Sequence, residues 1–216
     1  MKEPKESTGI RLSQTTRLEA FSDGVFAIAI TLLVLELIQL LHSGSYEQLS
    51  LSSLMHWEPF AAFVIGFATI LICWINHHHV FDYIEKTNSG LMWINGFVLF
   101  LITLTPLPTA ILAALISTDA QTAFAIFGGN YVLIAIVSYA ICAYPYRKGL
   151  INTDSREYFV YVKRTYEYSI IYTMIAFGMC FISVPVAVML YVVLFIVFAF
   201  PKAAASKLMQ RSAKRS

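Results

Sequence analysis

Apolar residues gather along the chain in six blocks, each near the roughly 20 residues that a helix needs to cross a lipid hydrocarbon core. The blocks fall at roughly 17–41, 58–82, 90–116, 121–146, 161–183 and 185–205. Polar and turn residues separate them and predict their ends. Thr16-x-x-Glu19 has the pattern of a capping box at the start of the first helix. Glu58-Pro59 opens the second, with proline where its missing N–H is least missed. The third block contains Pro106 and Pro108 in "TPLP", which predicts a kink or loosening there. Only "SVP" around Pro185 separates the last two blocks, so a tight hairpin or one bent element is expected. No internal repeat is visible, and residues 1–216 form one membrane domain with no appended soluble part.

Charge then gives the six blocks a direction. All 15 Lys and Arg fall before or at the foot of helix 1, between helices 2 and 3, in the helix 4–5 region including the foot of helix 5, or from the end of helix 6 into the C-terminal tail. The segments near 42–57, 117–120 and 183–186 contain none. Under the positive-inside rule, both termini are cytoplasmic and the number of spans is even. Glu36, Glu47, Glu58 and Asp119 fall on the outer side, where they would favour an approaching cation. The topology rule alone also explains the missing positive charges.

Composition agrees with lipid as the solvent. The chain is 58% hydrophobic and 13% charged, about half the roughly 25% charge of soluble domains. An aromatic content of 14% argues against disorder. Residues 1–16 lack the apolar core of a cleaved signal peptide, so the first hydrophobic block is expected to stay. Cys73, Cys142 and Cys180 lie inside apolar blocks and are expected as buried thiols rather than a disulfide framework.

Two polar clusters stand out against this background. Arg17, Glu19, Ser22 and Asp23 crowd the foot of helix 1, and "WINHHHVFD" (74–82) ends the antiparallel helix 2. The two sets reach one level of the membrane, where unpaired charge is costly. A hydrogen-bond network between the helices would satisfy them. Alternatively, the charged ends snorkel to water as an interfacial belt, with His78 and Asp82 as an i, i+4 pair. His77, His78 and His79 point about 100° apart on a helix and do not converge on one metal ion. Further along helix 1, Ile28, Thr31, Leu32 and Leu35 form a stripe, and Ala20, Gly24 and Ala27 a small-residue face. Periodicity does not say whether the stripe faces lipid, core or a pore.

Several function classes are missing. There is no T-V-G-Y-G filter and no Arg-rich sensor helix. "GGNY" at 128–131 falls within the fourth block and suits close packing or local bending. No hydrolase, metalloprotease or nucleotide-binding motif points to an enzyme. Neither a cofactor nor a nucleic-acid partner is expected.

The segment "RLEAFSDGVFAIAITLLVLEL" resembles the first helix of the transmembrane protein 175 family, potassium channels marked by R-x-x-x-F-S-D. Here that motif is Arg17, Phe21, Ser22 and Asp23. The resemblance implies an all-α, six-helix channel whose first helix lines a pore permeable to potassium ions. It implies a constriction at Ile28, with Leu32 and Leu35 further out and Thr31 as the nearby polar member. It also implies that the motif residues bond with His77 and Trp74 on helix 2. Animal members carry two six-helix repeats and dimerise, so this single repeat implies a homotetramer, multi-pass in a bacterial cytoplasmic membrane. The rival expectation is a proton-coupled secondary transporter, with Asp23 and the histidines as a relay.

Overall fold

The computed structural model describes residues 7–43 and 57–199, with side chains from 15 to 41 and from 57 to 199. Glu47, the final turns expected up to residue 205 and the C-terminal cations lie outside the described residues. Within them the chain is helical: α1 (Ser7–Ser43), α2 (Trp57–Phe81), α3 (Ser89–Leu104), α4 (Pro106–Leu115), α5 (Ala120–Lys148), α6 (Arg156–Met179) and α7 (Val184–Ala199). A 3-10 turn at Thr153–Ser155 precedes α6. Four stretches are long and apolar enough to cross a membrane: Thr15–Leu41, Trp57–Phe81, Ser89–Leu115 and Ala120–Lys148. The fifth and sixth blocks become α6, which begins among charged residues at Arg156, and the apolar α7. A turn at 180–183 joins them, so they form a hairpin rather than one bent helix.

Two helix boundaries correct the sequence expectation. The first helix begins at Ser7, so Thr16 and Glu19 lie inside it and form no capping box. Polar residues before the apolar block simply continue the helix, because hydropathy marks the lipid-crossing part and not where the backbone starts to coil. The third block is two helices, α3 and α4, meeting at Thr105. Pro106 has no N–H to give Ile102, whose carbonyl instead accepts from the N–H of Thr105 at 3.1 Å. The Thr105 hydroxyl takes up the carbonyl of Leu101 at 3.2 Å, and Asn130 Nδ2 on α5 donates to the same hydroxyl at 3.4 Å. The break is thus satisfied by side chains within the bundle, as backbone in lipid requires.

Central helix α5 packs against α3, α4 and α6, while α7 lies against α6 and α2. At its start, Asp119 accepts the N–H of Thr122 at 3.1 Å. The Thr122 hydroxyl and N–H together hold that carboxyl below its usual range. At its end, Gly149 takes the left-handed conformation (φ 64°) that terminates a helix without a Cβ clash. Beyond it, the α5–α6 loop is bonded to the α2–α3 loop: Glu85 N–H to Leu150 O at 2.9 Å and Asn152 N–H to Tyr83 O at 3.0 Å. Lys86 and the cations Arg147, Lys148 and Arg156 therefore share one end of the molecule. At the other end, the Ser117 hydroxyl donates to Glu58 Oε1 at 2.8 Å.

Apolar packing forms two clusters. One holds Phe26, Ala29 and Leu33 of α1 against Ile70, Leu91, Ile102 and Phe159. The other joins α4, α5, α6 and α7 around Phe127, Tyr131, Ala176 and Tyr191. Gly128 of "GGNY" marks a close approach, since a Cβ there would lie 2.2 Å from the Tyr191 hydroxyl. Gly128→Val is therefore expected to destabilise the protein by roughly 1–3 kcal/mol through overpacking. Gly96→Ala, where nothing lies within 4 Å of the added methyl, should be neutral or gain roughly 0.5–1 kcal/mol of helix propensity. Thermal unfolding in detergent checks the pair, and equal melting temperatures would contradict this account of the α5–α7 contact.

Candidate functional site

The membrane interior offers no water to satisfy Ser22, Asp23, Asn76, His77 or Asn95, so each must find a partner within the protein. Ser22 is fully buried where α1 meets α2 and α3. Its hydroxyl donates to Leu18 O one turn back at 2.8 Å. With that single proton committed, Ser22 Oγ can only accept from Asn95 on α3, and Asn95 Nδ2 donates to it at 3.0 Å. Asn95 Oδ1 then faces His77 Nε2 on α2 at 2.7 Å. An amide oxygen only accepts, so the bond requires His77 to carry its proton on Nε2. Phe26 and Phe81 hold the imidazole between them, with ring centroids at 5.3 and 4.5 Å.

A second bond ties the same two helices nearby. The indole N–H of Trp74 donates to Asp23 Oδ1 at 2.8 Å, a charge-assisted contact stronger than a neutral one. Trp74 also stacks on His78, which is exposed, at 5.9 Å between centroids. The expected His78–Asp82 pair is not formed. Asp82 lies 3.5 Å from His79 Nδ1 instead, because α2 ends at Phe81 and the chain turns under His79. The three histidines thus point to Asn95, to Trp74 and to Asp82 respectively.

Arg17 and Phe21 stand apart from these bonds. Both are exposed, Phe21 by 63%. The structure therefore brings Ser22 to His77 through a bridge, brings Asp23 to Trp74 directly, and leaves the other two motif residues on the outer surface of α1. Asn95, the hub of the bridge, was missed by the sequence reading. Its signal was a carboxamide alone in the apolar run "LMWINGFVLF", where a polar group is expensive unless paired.

These bonds determine how α1 is turned. At about 100° per residue, Ser22, Phe26, Ala29 and Leu33 fall within roughly 60° of one another, and all four are buried. Gly24, Ile28, Thr31 and Leu35 fall at roughly 180–240° from Ser22, on the opposite face. Ile28 is 59% exposed, Leu35 56% and Leu32 40%. Thr31 is exposed too, with its hydroxyl donated back to Ile28 O at 2.8 Å. Ala20, Gly24 and Ala27 share this outer face, so small residues stand where another helix can approach closely. Only 17% of the most apolar stretch of α1 is buried within its own chain, the smallest share among the four spanning segments.

Replacing the hub tests whether the network holds α1. Asn95→Leu leaves Ser22 without a donor and His77 without an acceptor, each a buried loss of roughly 1–3 kcal/mol. A clear fall in melting temperature in detergent is the expected result. Stability equal to the parent would show that the bridge contributes nothing.

The family described as endosomal/lysosomal potassium channel TMEM175 matches residues 17–106, a span that starts at Arg17 and includes Trp74, His77 and Asn95. A potassium channel of Chamaesiphon minutus is 38% identical over 191 residues, 87% of this chain and 94% of that one. A potassium channel of Streptomyces collinus is 38% identical over 125 residues, 58% of this chain and 60% of its own length. The crystal structure of a lysosomal potassium-selective channel TMEM175 homologue from Chamaesiphon minutus matches with a TM-score of 0.73 and 38% identity. That match covers 87% of this chain and 97% of the other.

Proposed function

This chain belongs to the TMEM175 family, and on that premise we propose that it is a potassium-permeable channel whose conducting path is lined by α1. Six membrane crossings with both termini cytoplasmic, and four copies around a central axis, complete the reading. The observation that carries it is the exposure of Ile28 and Leu35 on the face of α1 opposite its hydrogen-bonded side, with Leu32 exposed on the adjoining flank. Four such stripes facing one axis would form a narrow apolar passage, with Ile28 as its constriction. Small residues at Ala20, Gly24 and Ala27 support close approach of the four helices near their anchored ends.

A hydrophobic constriction excludes ions by dewetting when narrow and passes them partly dehydrated when wider. Potassium holds its water less tightly than sodium and so meets the lower barrier. The end of the molecule that carries Glu58 and Asp119 has no Lys or Arg among its described residues, which favours cation entry from that side. The named relatives are channels, which weighs against the transporter reading and against an enzymatic role.

Replacing Ile28 with Asn removes an apolar side chain worth roughly 1.5–3 kcal/mol of hydrophobic free energy. A barrier lowered by about 1.4 kcal/mol corresponds to a tenfold rate. Ile28→Asn is therefore expected to raise cation flux from proteoliposomes about tenfold and to reduce the preference for potassium over sodium. Unchanged flux and preference would remove Ile28 from the path. Mass measurement of the same purified sample is expected to give four chains, and a monomer would contradict a shared pore.

A further inference from the structure

Glu36 is a lone carboxyl in the apolar part of α1, five residues before that stretch ends at Leu41 and so about 7 Å inside it. It falls about 40° around the helix from Ser22, on the side turned to the bundle rather than with Ile28. There it lines a half-open crevice where α1 meets Pro59, Ala62 and Phe63 of α2 and Thr109 of α4. The side chain is half-buried. Its Oε2 is closed to solvent and has no hydrogen-bond partner among the described residues. No Lys or Arg occurs between positions 17 and 86 to balance it, and the crevice holds no other charged side chain.

We propose that Glu36 is a proton-binding site, holding a proton at neutral pH as an uncharged carboxylic acid where α1, α2 and α4 meet. Hydrogen-bond capacity points to the proton. Thr109 is the only other polar side chain in the crevice, and its hydroxyl gives its one proton to Thr105 O at 2.8 Å. Thr109 can therefore only accept, and an ionised carboxylate also only accepts. A protonated carboxyl brings an O–H of its own to this set of acceptors and has no charge to desolvate. Size excludes the other ways of balancing the charge. The crevice offers about 10 Å³ to the centres of water molecules, the lower limit of the roughly 10–15 Å³ that a single water needs, so a hydrated cation does not fit. A proton alone removes the charge without needing room or further ligands. Glu36 then adds no negative charge to the end of the molecule that carries Glu58 and Asp119. The site does not depend on α1 lining the ion path.

Infrared difference spectroscopy of the whole protein in liposomes at neutral pH tests the proposal. A protonated carboxyl absorbs as an acid carbonyl, clear of the bands of ionised carboxylates. Subtracting the spectrum of Glu36→Gln from that of the parent is expected to leave one acid-carbonyl band and no carboxylate bands. Should that variant fail to fold, Glu36→Leu, apolar like most of the crevice, gives the same subtraction. A difference made of carboxylate bands would show Glu36 to be ionised, with or without a bound cation. That result, or a subtraction without an acid-carbonyl band, overturns the proposal.

Discussion

Asn95 links three helices through two hydrogen bonds, and the orientation of α1 depends on them. Lipid leaves Ser22, Asn95 and His77 no alternative partners, so the three must meet. Each bond limits the next. Ser22 has one proton and gives it to its own backbone, Asn95 can then only donate to Ser22, and His77 must donate to Asn95. Ser22 consequently faces inward, and helix geometry turns Ile28 and Leu35 outward about 9 and 20 Å further along. A purely apolar contact would permit α1 to rotate or slide with little penalty. A hydrogen-bonded one does not.

The remaining helices keep the partners of Ser22 in place. Asn88 caps α3 by accepting the N–H of Leu91 at 2.9 Å, which sets the start of the helix that carries Asn95. The bonded loops after α2 and α5 hold the two ends of this region together. Further along, Gly66 of α2 lets Thr109 and Leu33 come within 2.9 and 3.3 Å of where a Cβ would be, so α1, α2 and α4 meet closely. The break between α3 and α4 is satisfied locally by Thr105 and does not disturb this contact. Polar chemistry thus locates α1, and apolar packing holds its buried edge.

Hydropathy was enough to find the apolar helices, because lipid demands length and apolar composition before anything else. It could not find where α1 begins, since the residues from Ser7 onward coil without being apolar. Nor could it show that Pro106 ends one helix and begins another. That outcome depends on Thr105 and Asn130 supplying the missing bonds. In the site, the motif drew attention to Ser22, Asp23, Trp74 and His77, and level matching between antiparallel helices placed them together. Asn95 belongs to no motif and lies on a third helix, so only the fold brings it between Ser22 and His77. The Ile28 stripe was visible as a periodicity, but its direction was not, because lipid, core and pore all accept isoleucine. Burial of the opposite face removes the core from those three, and the pore is the reading proposed above.

The central claim is that the anchored rotation of α1 presents Ile28 to the conducting path. Cysteine placed at position 28, in a chain whose Cys73, Cys142 and Cys180 are replaced by alanine, tests it most directly. Current across a planar bilayer would be recorded before and after adding a charged, water-soluble thiol reagent. The account predicts a lasting change in the potassium current as the reagent reacts at the constriction. A current that remains unchanged while mass spectrometry shows position 28 fully labelled would contradict it.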